Sequence, residues 1–120
     1  MATSFNITDK LSRITDWWRP YTVAHVNDCA IKLVKFRGHF VWHKHEHEDE
    51  LFLVLSGSFT MRFRDYSIDL ERGDVIVVPR GVDHMPVAEE EVHVLLVEPL
   101  TTINTGDAND SRKVDGEQWL

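Results

Sequence analysis

From Tyr21 onward, apolar and polar residues change places over short distances, and no stretch keeps a helical period. Runs rich in β-branched and aromatic residues fall at 21–27, 30–37, 39–45, 50–55, 58–64, 66–70, 74–78, 84–88 and 91–98, and each predicts a strand. Turn-forming residues separate them: Asn27-Asp28, Gly38, the acidic stretch 46–49, Ser56-Gly57, Asp65, Arg72-Gly73 and Pro79-Arg80-Gly81. Short strands at this spacing indicate an all-β antiparallel barrel or sandwich. The residues before Tyr21 follow another rule. Ile7, Leu11, Ile14 and Trp18 recur at near-helical spacing, Thr8 suits an N-cap, and Pro20 ends the run, which predicts a short amphipathic helix within 5–18. After Pro99 the chain turns polar, which predicts an extended tail with a mobile middle, its end docked by Trp119 and Leu120. The expected organisation is an N-terminal helical segment (1–19), a β-barrel (20–99) and a C-terminal tail (100–120).

Two strands break the in–out alternation of a sheet with one wet face. Residues 51–55 are apolar at every position, as are Val75–Val78. Such strands need cover on both faces, from the barrel interior on one side and from a second sheet, the helix or another subunit on the other. In a chain of 120 residues a homodimer is the expected cover.

Composition narrows the function. The formal net charge of −7 repels phosphate, so neither nucleic acid nor an anionic membrane is an expected partner. The single cysteine, Cys29, permits no intrachain disulfide and points to a reducing, cytoplasmic setting. The first residues lack the order of a signal peptide, and no apolar run approaches the ~20 residues that span a bilayer.

The chemistry concentrates in GHFVWHKHEHEDELFLVLSG, residues 38–57. In extended chain His43 and His45 project from one face, which suits two imidazoles holding one ion. Glu50 lies an odd number of residues beyond His45, so a turn across 46–49 must intervene before it can join them. That turn also removes His47, which shares parity with His43 and His45, to the rim or the surface. Trp42 should face away from the histidine pair. A second stretch, GDVIVVPRGVDH at 73–84, ends in a turn where Gly81 can supply a positive φ and aim His84. Asp83 is expected to solvate that turn, and His25, His39 and His93 to be ordinary strand residues. Arg37, Arg62, Arg64 and Arg80 are the cations available to an acidic substrate, with Arg62 and Arg64 facing either inward or to solvent. No carboxylate besides Glu50 is evident on an inward position.

Together the two stretches resemble the cupin family. Gly38, His43, His45, Glu50 and Gly57 follow the family's first motif, and Gly73, Pro79, Gly81 and His84 its second. Two positions depart. Four residues instead of five separate Gly38 from His43, and Ala88 stands where the second motif ends in Asn. The resemblance implies a small jelly-roll barrel binding one divalent metal ion through His43, His45, Glu50 and His84. This mixed N/O donor set admits Fe, Mn, Ni, Co or Zn. It implies a small metal-dependent enzyme acting on an oxygen-rich metabolite, an isomerase of sugars or sugar phosphates or a dioxygenase, with Glu50 as the candidate catalytic base. The alternative is a non-catalytic module or sensor that binds a metal or a small ligand.

Overall fold

The computed structural model describes residues 1–120. In chain order it contains α1 (Ile7–Leu11), β1 (Tyr21–Val26), β2 (Cys29–His39), β3 (Glu50–Ser56), β4 (Ser58–Arg62), β5 (Ser67–Glu71), β6 (Val75–Val78) and β7 (Met85–Pro99). The strands form one antiparallel sheet in the order β1-β2-β7-β3-β6, and β4 attaches β5 to β7. The hydrogen-bonded ladder does not close on itself, but the arrangement fits the small jelly roll that the resemblance implies. No helix is long and apolar enough to cross a membrane.

β7 is the spine. Its 15 residues pair with β2 from Val87 to Pro99, with β3 from His93 to Val97, and with β4 from Met85 to Val87. The period of 2 in each strand sorts side chains between two clusters. Val34, Phe36, Phe52, Val54, Phe59, Met61, Val92, Val94 and Leu96 face inward and form the main core. On the other face of the sheet, Leu11, Ile14, Val23 and Leu33 pack with Leu55, Leu95 and Leu120. The helical segment and the end of the chain therefore cover one side of the outer face.

Four local expectations need correction. The helix is five residues long and is capped by Asn6, whose side chain accepts from Asp9 N at 3.1 Å, not by Thr8. So short a helix is marginal by itself. Ile14 and Trp18 stay buried but lie beyond it, held by packing. Residues 40–45 are not a strand; the chain leaves the sheet after His39, and His43 makes only an isolated bridge to His84. The runs at 84–88 and 91–98 are one strand, β7. Glu89–Glu91, which the sequence reads as a solvated turn between those runs, stay extended and exposed within it, opposite the irregularity in β2 between Phe36 and Gly38.

The residues after Pro99 fold back onto the barrel. Thr102 and Thr105 are buried, and Asp107 N donates to Lys44 O at 3.1 Å. At the end, Trp119 bridges Thr22 in parallel, Leu120 N donates to Thr22 O at 3.1 Å, and Lys10 Nζ donates to Leu120 O at 2.9 Å. Trp119 itself remains exposed, so the docking is made by backbone and by Leu120.

Candidate metal centre

Three pieces of irregular backbone meet at one end of the barrel. The loop from β2 to β3 carries His43 and His45. The turn after β6 carries His84, and the segment around Gly106 lies behind them. The two histidine loops bond directly: His43 N donates to His84 O at 3.1 Å, and His84 N donates to His43 O at 2.9 Å. Gly81, at φ +76° as expected, donates its N–H to His45 O at 2.8 Å. Asp49 accepts from Arg80 N at 2.9 Å and pairs with its guanidinium at 3.3 Å. Lys44 N donates to Asp107 Oδ1 at 2.9 Å. Gly106, at φ +55°, sits where a Cβ would collide with Lys44 O and press on His43. Only glycine fits behind the histidine there.

These restraints bring His43, His45, Glu50 and His84 together, all buried, with one donor atom from each lying within 4.8 Å of the others. The turn at 46–49 does what parity requires, because Glu50 opens β3 on its inward face with Phe52 and Val54. His43 Nδ1 and His84 Nδ1 each bond a backbone carbonyl two residues earlier, Val41 O and Val82 O, both at 2.9 Å. A carbonyl accepts, so Nδ1 carries the proton and Nε2 presents its lone pair to the centre. Both ring nitrogens of His45, Nε2 of His84 and Oε1 of Glu50 are buried without a hydrogen-bond partner. His45 Nε2 approaches Glu50 Oε1 at 3.3 Å and His84 Nε2 approaches it at 3.6 Å. Buried polar atoms are rarely left unsatisfied. Orphaned donors on His45, Glu50 and His84, gathered with His43 within 4.8 Å of one another, fit a divalent cation.

The electrostatics agree. Burial, and then the neighbouring His84, push His43 down to about 4, so it is a neutral donor at pH 7. Burial also presses down on His45, but the Glu50 carboxylate 3.3 Å from its Nε2 outweighs it and raises its pKa. Burial would raise Glu50, yet its contacts with Glu98, His45 and His84 hold it well below the ordinary carboxylate range. Glu98 moves the opposite way, raised by burial and then by the charge of Glu50.

A cavity opens beside the cluster, with about 30 Å³ of water-accessible room. That is space for about two water molecules. His43, Glu50 and Glu98 face it, together with an aromatic wall of Trp18, Phe36, Phe40 and Phe52. Trp18 stacks on Phe36 at 4.5 Å and on Phe40 at 4.8 Å, and its Nε1 donates to Arg37 O at 2.8 Å. Its φ is +66°, uncommon for a bulky side chain and here held by those contacts.

The other candidates stay outside. His47 is exposed on the loop, and His39 is exposed on β2. His25 pairs with Glu117 and His93 with Glu91. Asp83 approaches Arg64 at 3.6 Å, while the His84 ring is oriented by Val82 O. Arg62 and Arg64 face solvent and lie over Trp42, Arg64 at 4.0 Å from its ring centre. Arg37 lies over Trp17, and no arginine or lysine lines the cavity.

Sequence reasoning missed Trp18 as a site wall, Gly106 as a backstop and Glu98 as a second inward carboxyl. Glu98 did leave a signal. It is the one charged residue in the run VHVLLVE at 92–98, and it shares parity with the core residues Val92, Val94 and Leu96.

The class of protein is thus a jelly-roll β-protein with three imidazoles and a carboxylate buried at one end of its barrel. Residues 33–98 match the family model described as Cupin domain, more than half of the chain, and this protein belongs to the cupin family. Among solved structures, a cupin-2 domain containing protein from Shewanella frigidimarina is 43% identical with a TM-score of 0.78, over 79% of this chain and 93% of that one. A protein from Neisseria meningitidis is 28% identical with a TM-score of 0.75, over 81% of this chain and 99% of that one. Among curated proteins, the uncharacterized protein YdbB of Bacillus subtilis is 35% identical over 65 residues, 53% of this chain and 58% of that relative. The match to YdbB therefore spans little more than half of that protein's length.

Proposed function

We propose that this cupin is a mononuclear metal enzyme acting on a small, uncharged, oxygen-rich metabolite, with a dioxygenase-type reaction as the best-supported chemistry. The observation that carries this is the set of orphaned donors of His45, Glu50 and His84, beside a cavity that has aromatic walls and no lining cation. A phosphorylated sugar needs at least one cation at the site. The four arginines that could have supplied it are engaged elsewhere or face solvent. A planar chelating compound suits the Trp18–Phe36–Phe40 wall better than a bulky sugar ring does.

His43, His45, Glu50 and His84 would hold the ion, which supplies Lewis-acid polarisation of a chelating ligand's oxygens. The chain does the rest. The two carbonyl-anchored imidazoles keep their lone pairs aimed inward. The aromatic wall excludes water and orients a flat ligand. Glu50, ionised at neutral pH, is the group available to accept the proton such a ligand sheds on entry. A second reading, a non-catalytic small-ligand-binding module, draws on how little room the cavity offers. In both readings the molecule works as a homodimer in the cytoplasm.

The test loads the purified protein separately with iron(II), manganese(II), nickel(II), cobalt(II) or zinc(II). Oxygen consumption is followed with small β-diketones, and proton exchange with neutral sugars and sugar phosphates. Dioxygenase function predicts metal-dependent oxygen uptake that is lost in His84→Ala. Exchange from sugar phosphates with no oxygen uptake would overturn the reading in favour of an isomerase. Diketone binding without turnover would move it to the ligand-binding module.

A further inference from the structure

We infer that Glu98, held by Lys32, is the positioning residue that keeps Glu50 available to the ion. The inference rests on the metal-site reading above and assigns a task to two side chains that the reading leaves idle.

The register carries the argument. β3 and β7 pair with Leu51 opposite Val97, so one residue further along Glu50 stands opposite Glu98. Both face inward, at 5% and 2% exposure, and both line the cavity. Directly opposed like charges destabilise a sheet, and a buried carboxylate without a partner costs more still. A stable fold does not place two acids there unless a third group organises them. Lys32 is that group. It lies on the inward face of β2 with Ala30, Val34 and Phe36, and its Nζ approaches Glu98 Oε1 at 3.0 Å. Its stem is largely buried and no other carboxylate is paired with it. Glu98 Oε2 is buried without a hydrogen-bond partner in the protein, on the β7 position that faces Glu50.

The order Lys32–Glu98–Glu50 has a clear consequence. Glu98 keeps the ammonium away from the ligand carboxylate and fixes the rotamer of that carboxylate from behind. Outer partners of this kind orient metal ligands in general. Without Glu98, Lys32 is free to pair with Glu50 and compete with the ion for it. A glutamine can replace Glu98 in this arrangement, since its oxygen accepts from Lys32 and its NH₂ donates to Glu50. A leucine of similar volume can do neither.

The experiment titrates cobalt(II) into the metal-free wild type, Glu98→Gln, Glu98→Leu and the double variant Glu98→Leu/Lys32→Met. Affinity is read by competition with a chromophoric chelator, and geometry by the visible absorption bands. Melting curves of the metal-free proteins confirm that each is folded. Glu98→Gln should bind within about 3-fold of wild type with the same bands, while Glu98→Leu should lose about 10–100-fold with altered bands. The double variant should recover part of that loss. Wild-type affinity and bands in Glu98→Leu would overturn the inference, as would a Glu98→Gln that falls as far as Glu98→Leu, or a double variant no better than the single one. If the wild type itself takes up no cobalt, the metal-site reading fails instead, and the two failures are distinct.

Discussion

His43 shows how much one buried side chain can decide. Its ring sits buried and edge-on to Phe40 at 5.3 Å, and burial, then the neighbouring His84, favours the neutral form against the opposing bond from Nδ1 to Val41 O. With a folded pKa of about 4 against an ordinary 6.5, a proton binds the unfolded chain more readily than the folded one. The contribution of His43 to stability is therefore intact above about pH 6.5 and is lost as the pH falls toward 4. His45, with a raised pKa, acts in the opposite sense, so the comparison must cancel it. Metal-free wild type and His43→Leu, melted side by side from pH 7.5 to 4.5, should differ in Tm by an amount that moves several degrees against the wild type as the pH drops. A difference that stays flat across that interval would show that the imidazole is not held neutral. At this scale the histidines were legible in the sequence because their joint spacing with Glu50 follows the two motifs of the family the chain resembles. Glu98 was overlooked because its signal is one of parity within an apolar run, and parity acquires meaning only once the inward face is known.

At the scale of elements, the segment after α1 matters more than the helix. Residues 12–18 abandon the helical path, and Trp18 turns into the barrel mouth with a positive φ. A helix continued to Trp18 would keep that residue on the helix face with Leu11 and Ile14, over the outside of the sheet. The apolar spacing of Ile7, Leu11, Ile14 and Trp18 correctly marked burial, but it could not say that the four divide between two clusters on opposite faces. If Trp18 sets the size of the pocket, Trp18→Ala should widen it at a cost of about 3–5 kcal/mol in stability. Cobalt-loaded wild type should then change its visible spectrum with acetohydroxamate and stay unchanged with the larger benzohydroxamate, whereas the variant should respond to both. Equal responses of the wild type to the two chelators would remove Trp18 from that role.

For the whole molecule, the outer face of the sheet remains partly open. Val75 and Val77 on β6 are 54% and 53% exposed, beside half-buried Leu51, Leu53 and Val97 on β3 and β7. β6 is also an edge strand. Isolated apolar side chains on a surface are ordinary, but a contiguous row at a sheet edge invites a partner. A homodimer joined through this face should sediment at twice the chain mass at micromolar concentration, and Val75→Glu/Val77→Glu should sediment as a monomer without losing bound metal. A wild type that stays monomeric at that concentration would dismiss the dimer.

Strand periodicity and turn residues were enough to indicate an all-β barrel or sandwich, and the resemblance of two motifs to the cupin family implied the jelly roll and singled out His43, His45, Glu50 and His84. These are local properties, carried by residues close together in the chain. The fusion of two predicted strands into β7, the burial of Glu98 at the cavity beside Glu50, the reach of Lys32 and the entry of Trp18 into the mouth came only with the fold. Each depends on contacts between segments far apart in the chain. Which distant residues meet follows from register and from competition for buried space, and a linear pattern contains neither.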